Sequence, residues 1–284
     1  MSLTAFPKKP TLPRIYHRER GPVAWFLMDT ARGTFRGDTG DVADITGNVS
    51  AGTRHGGCTW TSGQFGNALS FNGSTGYVTS PDTAAIHSDT VSLSAWFCLS
   101  ATPSFAAVIC KPASGPPWSS PYMTWLIRIN DSTSIEYDIS NGSSYSGGSP
   151  PTGVFTVPTL VSGAWNHVAL TYDGTTLIGY FNGKQVGAVT NVTGPLVYTS
   201  TPIMLGADYG SSPFGDPFPG VIDNVAIFGY PISAVQVYRL YTNPFWRLRP
   251  GKQRSAVLAG TATPPPTFLP GWIAPSSTLG IGVY

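Results

Sequence analysis

Hydrophobic and polar residues alternate along much of this chain. Over residues 91–99, Val91, Leu93, Ala95, Phe97 and Leu99 fall on one face, the pattern of a strand lying half-buried on a core. Residues 165–172 form a second such run, closed by Asp173-Gly174. Residues 176–181 form a third, and Asn182-Gly183 turns the chain into a fourth at 184–189. Asp-Gly and Asn-Gly between strand-like runs mark hairpins, because both turn positions tolerate a positive φ. Shorter runs predict strands at 68–71, 77–80, 106–110, 124–129, 135–139, 202–206 and 221–228. One segment breaks the pattern. Ser233-Ala234-Val235-Gln236 is a capping box, with Ile232 and Val237 placed as a hydrophobic staple, so a helix is expected over 234–241. It stops before Asn243-Pro244.

Composition agrees with an all-β chain. Apolar residues make up 41% of the 284 and charged residues only 11%, well below the roughly 25% of average usage. Gly 33 and Pro 26 imply many turns without a collagen-like repeat. Apolar runs of membrane-spanning length do not occur, and the first residues lack the apolar stretch of a secretory signal. A soluble protein made without a signal peptide is the expectation. Cys58, Cys98 and Cys110 have neither zinc-site spacing nor an even number, and read as reduced core or strand residues.

Charge changes the picture at the two ends. Residues 1–20 hold Lys8, Lys9, Arg14, Arg18 and Arg20 against Glu19; residues 239–284 hold Arg239, Arg247, Arg249, Lys252 and Arg254 with no acid. The body between them is therefore acidic. Both ends are proline-rich, and the second also carries Trp246, Phe268 and Trp272. Residues 1–22 and 243–284 thus read as extended basic arms around one domain at 23–242. Arms of this kind either engage something anionic or serve only as solubilising tails. The acidic surface of another copy of the chain is one candidate, with Lys8, Lys9, Arg14, Arg247, Arg249, Trp246, Phe268 and Trp272 as the contacting residues. Nucleic acid is disfavoured because the acidic body would repel it and no recognised binding motif is present.

A larger pattern joins these segments. Trp25 to Asp29, Asp44-Ile45-Thr46-Gly47-Asn48, Trp60 and Gly63-Gln64-Phe65-Gly66-Asn67-Ala68-Leu69-Ser70-Phe71-Asn72-Gly73 come first, followed by Tyr77-Val78. Trp165-Asn166-His167-Val168-Ala169-Leu170-Thr171-Tyr172-Asp173-Gly174, Tyr180-Phe181-Asn182-Gly183 and Ile222-Asp223-Asn224-Val225-Ala226-Ile227-Phe228 come next, in that order. Over about residues 23–242 the set resembles the laminin G-like, concanavalin A-like jelly roll, an antiparallel β-sandwich. The tail from Leu240 to Trp246 is similar to the segment after this domain in bacteriophage proteins. The resemblance implies a structural Ca²⁺ held by Asp29, Asp44, Asn48 and Asp223. Alternation puts Asp223 on the face of Val225 and Ile227, among core residues. The other reading of Asp223 is that it accepts backbone N–H bonds from the loop at 44–48.

Catalysis finds little support. Glucan-cleaving enzymes of this architecture place two glutamates and an aspartate at alternating positions of one strand. This chain has two glutamates, Glu19 in the basic arm and Glu136, and only Glu136-Tyr137-Asp138 puts two carboxylates on one strand face. His17, His55, His87 and His167 have no metal spacing, and His167 reads as structural within its strand. Sugar recognition needs exposed aromatic rings with polar neighbours. The candidates are Trp118, Tyr122, Tyr145, Tyr209 and Phe214, all on predicted loops, where they could equally pin the loops or sit at subunit interfaces. Taken together, the sequence leads to a non-enzymatic structural or decoration component of a phage particle, located in the virion and assembling with itself and other virion subunits through its arms. The alternative is an adhesin recognising a host surface glycan.

Overall fold

The computed structural model describes residues 20–28, 42–114, 122–140, 152–192, 194–209 and 214–245. These hold fifteen strands and one α-helix. The strands, in chain order, are β1 (Ala24–Phe26), β2 (Thr53–His55), β3 (Thr59–Ser62), β4 (Asn67–Asn72), β5 (Tyr77–Ser80), β6 (Val91–Leu99), β7 (Ala106–Pro112) and β8 (Met123–Ile129). They continue with β9 (Ser134–Ile139), β10 (Thr152–Thr156), β11 (Trp165–Tyr172), β12 (Leu177–Phe181), β13 (Lys184–Val189), β14 (Ile203–Leu205) and β15 (Pro219–Phe228). The helix, α1, spans Ala234–Thr242. Among the described residues no helix is long and apolar enough to cross a membrane.

Two antiparallel sheets form a sandwich. The first runs β13-β12-β11-β6-β15-β4-β3, with β1 also paired to β15; the second runs β10-β9-β8-β7-β14-β5-β2. Neighbours that are far apart in sequence, such as β6 beside β15, give the jelly-roll connectivity. Between the sheets lies the main core. Val91, Leu93, Ala95, Phe97 and Leu99 all enter it, as the alternation predicts, and Trp125, Ile127, Ile135, Tyr137 and Ile139 meet them from the second sheet. The Asn182-Gly183 turn has φ of 46° and 76°, the positive values that join β12 to β13 in two residues.

At one edge the ring of Phe155 fills a slot between the sheets. A Cβ on Gly187 would lie 2.2 Å from that ring, and one on Gly179 would lie 2.7 Å from it. Glycine at these two positions is what lets β12 and β13 approach β10.

The short strands β2, β3 and β10 escape the sequence pattern. Two of them are polar edge pieces, Thr-Arg-His and Thr-Trp-Thr-Ser, and β10 is held by pairing with β9 rather than by its own alternation. The helix forms as its cap predicts: Ser233 Oγ accepts from the Gln236 amide, and the Gln236 side chain accepts from the Ser233 amide at 2.8 Å. Its apolar side, Val237 and Leu240, joins Ile232, Trp25, Ala169, Tyr180, Ala226 and Phe228. The helix therefore covers part of the outer face of the first sheet.

One expectation about β15 is corrected. Asn224 takes φ 53° in a bulge where two residues of β15 oppose one of β6. The bulge breaks the alternation, so Val225 and Ile227 face the core while Asp223 pairs with Trp96 on the outer side.

Candidate functional site

With α1 on the first sheet, the outer face of the second sheet is the other broad surface of the sandwich. Its residues are set by register. Asp138, Leu126, Cys110, Met204 and Thr79 lie opposite one another across β9, β8, β7, β14 and β5, each alternating with a core residue on its own strand. The parallel row begins with Glu136, Arg128 and Ala107. At the far edge His55 lies opposite Tyr77.

Over this face come aromatic side chains from separate segments. Tyr122 precedes β8, whereas Tyr209 and Phe214 belong to the connection between β14 and β15. Together with Tyr77 they pack on Ala107, Cys110, Met123, Leu126, Met204 and Ala207, and all four remain part-exposed. The rings form a continuous surface at one side: His55 stacks on Tyr77 with centroids 4.5 Å apart, and Tyr77 meets Phe214 at 4.7 Å. His55 Nε2 is also 2.8 Å from Thr79 Oγ1. The fold thus brings together three of the five aromatic candidates. Trp118 and Tyr145 lie outside the described residues.

Beside the rings lies a network of charge. Arg128 donates through Nε and Nη2 to Glu136 Oε2 at 3.2 and 2.6 Å, and through Nη1 to Asp216 Oδ2 at 2.5 Å. Phe105 covers the guanidinium at 4.7 Å. Burial alone would weaken this charge, but the two carboxylates outweigh it and hold Arg128 more firmly protonated than usual. Asp208 is 2% exposed, and its backbone pairs with Gly215. Desolvation first, and the charge of Asp216 second, push its carboxyl up to about 8 against the pull of Arg128. Asp138 is fully buried on the same face. Burial, followed by the charge of Asp208, raises the Cys110 thiol well above its ordinary value. Sequence reasoning isolated Glu136 and Asp138 but missed Arg128, Asp208, Asp216, His55 and Tyr77. The available signal was an arginine at an outward strand position; its partner Asp216 is 88 residues away.

The described residues proposed for Ca²⁺ take part in hydrogen bonds. Asp44 Oδ1 accepts from the amides of Trp25 and Thr46 at 2.7 and 3.1 Å. Its Oδ2 accepts from Thr46 Oγ1 and the amides of Asn48 and Val49, at 2.6 to 3.1 Å. Asn48 Nδ2 donates to Val23 O at 3.2 Å. Asp223 is fully buried and its Oδ2 accepts from the Phe65 amide at 3.0 Å. Asp29 lies outside the described residues. Ca²⁺ requires six to eight oxygen ligands. Among the described residues no group of three or more His, Cys, Asp or Glu could hold a metal. In the described part of the set, Asp44 and Asn48 fasten a loop by hydrogen bonds, and Asp223 holds the Phe65 amide. Asp223 does accept a backbone bond, but from the loop at 63–66, while Asp44 serves the loop at 44–48.

His167 is fully buried, with Nε2 2.9 Å from Ser94 Oγ, and desolvation lowers its pKa to about 3. It is a neutral structural side chain. The three cysteines are free thiols. The proposed arm contacts, Lys8, Lys9, Arg14, Trp246, Arg247, Arg249, Phe268 and Trp272, lie outside the described residues.

A family model for the concanavalin A-like lectin/glucanases superfamily matches residues 72–238, more than half of the chain. The chain belongs to this superfamily. Solved structures with the same fold include domain 4 of AbnA, an extracellular arabinanase of Geobacillus stearothermophilus. That domain is 20% identical and superimposes with a TM-score of 0.54 over 78% of this chain and 98% of its own. The binding domain of Paraclostridial Mosquitocidal Protein 1 is 13% identical, with a TM-score of 0.56 over 79% of this chain and 52% of its own. The binding domain of botulinum neurotoxin serotype D is 14% identical, with a TM-score of 0.56 over 80% and 53%. This superfamily member spans about half the length of those toxin domains. No curated protein matches it.

Proposed function

We propose that the chain is a non-enzymatic carbohydrate-binding module whose site is the aromatic outer face of the second sheet. The observation that carries this reading is the convergence of Tyr77, Tyr122, Tyr209 and Phe214, part-exposed and from three separate segments, beside a polar network. Flat rings bury the apolar faces of sugar rings, and neighbouring hydroxyl, amide and carboxyl groups take the sugar hydroxyls. The similar arabinanase domain was solved in complex with arabinotriose, which supports the same reading.

A binding role accords with the state of the carboxyls. Glycoside hydrolysis needs an acid and a nucleophile or base that both reach the substrate. Here Glu136 is held by Arg128, while Asp138 and Asp208 are almost wholly buried. The virion reading rests on the basic arms and on the resemblance of the tail. The glycan reading has the arranged rings and the structural likeness besides, and we place it first.

Glycan-array screening followed by calorimetric titration tests the proposal. Tyr77→Ala and Phe214→Ala are expected to weaken binding roughly tenfold or more, about 1.4 kcal/mol each. Tyr238→Ala, on an exposed position of α1, is expected to leave it unchanged. Full affinity in both platform variants would overturn this site assignment.

A further inference from the structure

Resting on the glycan-binding reading above, we infer that this site takes uncharged saccharides and turns away acidic ones. Among the described residues, the groups beside the rings are the carboxyls of Glu136 and part-exposed Asp216, with those of Asp138 and Asp208 buried behind them, against one guanidinium, that of Arg128. An acidic sugar is recognised by a cation with donors to spare, ideally an arginine fork meeting its carboxylate. Arg128 already spends three of its five N–H donors, and its charge, on two carboxylates. One end is closed on Glu136, the other on Asp216, and Phe105 lies over its plane.

Among the described residues, the other basic groups near this sheet are committed elsewhere. Lys111 is fully buried, and its Nζ donates to Thr199 O at 2.8 Å, to Thr201 O, and to Asp82 Oδ1 at 3.1 Å. Arg54 pairs with Val78, whose side chain enters the core, so it leaves β2 on the side opposite His55; its guanidinium sits over Trp60 and its Nη1 donates to Cys58 O. His55 is turned to Thr79. A carboxylate or sulfate brought onto the Tyr77–Phe214 platform would thus lose its water and meet net negative charge. A neutral sugar meets the same rings and the same acceptors without that cost.

The test is an array carrying neutral, uronic, sialylated and sulfated glycans, followed by titration of the best neutral oligosaccharide against the same oligosaccharide with its primary alcohols oxidised to carboxylates. The expected result is neutral hits, with the oxidised form bound roughly tenfold or more weakly at low salt. That gap should narrow as salt screens the repulsion. Asp216→Asn, close in shape to the native residue, should narrow the ratio between the two forms, whereas Asp208→Asn, which replaces a carboxyl that keeps its proton up to about pH 8, should leave it unchanged near neutral pH. Acidic glycans as the tightest hits, or equal binding of both forms, would overturn the inference and leave the binding reading intact. An array without any hit would overturn both.

Discussion

Arg128 and Asp208 illustrate how much of this surface depends on single charges. Removing Arg128 would leave Glu136 and Asp216 facing each other with Asp208 behind them. Such a loss from a mostly buried ion network costs about 3–5 kcal/mol. Arg128→Met should lower the denaturation midpoint accordingly, while Phe105→Ala, which removes only the covering ring, should cost far less. Asp208 gives a dependence on pH. Its folded carboxyl binds a proton more tightly than the unfolded chain does, so its contribution to stability is complete below 3.8 and is lost as pH rises towards about 8. His167 acts in the opposite sense: its folded pKa is lowered from 6.5 to about 3, and stability is lost as pH falls through that window. Thermal melts between pH 6.5 and 8.5 should decline in the native protein and flatten in Asp208→Asn. The aromatic half of this surface was partly legible in the sequence, since Tyr122, Tyr209 and Phe214 sit in loops too polar to form a core. The charged half was not, because nothing local links Arg128 to Asp216 or Asp208.

Among the elements, legibility tracked length and periodicity. β5, β6, β11 and β13 match their expected bounds because a full run of alternation, or an Asn-Gly turn, pins both ends. β2 and β3 have only three and four residues. They exist because a neighbouring strand offers free backbone groups, which no count along one strand reveals. The Phe155 slot belongs to the same class of features. Adding a methyl group at Gly187 forces the ring out of its place, and overpacking of this kind costs about 1–3 kcal/mol. Gly187→Ala should destabilise by that amount in urea titrations, with partial recovery when Phe155→Leu is added. At the helix, Ser233→Ala removes the acceptor for the Gln236 amide and should cost about 1 kcal/mol. Loosened packing of Val237 and Leu240 would show as faster amide exchange along α1.

On the scale of the whole molecule, every described strand, the helix and the main core fall within residues 20–245. A fragment with those bounds should unfold in one cooperative transition within a few degrees of the full chain. If the arms drive assembly, as their charge suggests, light scattering should find the full chain oligomeric and the fragment monomeric. Two equal masses would assign the arms another partner. The two outer faces also divide the labour. One is partly closed by α1, and the other carries the rings and acids, so ring positions of the proposed site can be exchanged there without entering the core between the sheets.

The bulge at Asn224 has a counterpart in the way strands tolerate insertions and deletions. Losing one residue from a strand normally inverts everything beyond it, much as a lost nucleotide shifts a reading frame. In β15 the extra residue is already present, with Asn224 and Val225 together spanning the interval that Ala95 spans alone on β6. Excising Asn224 would therefore leave Ile222, Val225 and Ile227 inward and Ala226 and Phe228 outward, at the cost of the bond from Trp25 Nε1 to Asn224 Oδ1. Within β15, that position is the one where a shortened gene should still encode the same sandwich.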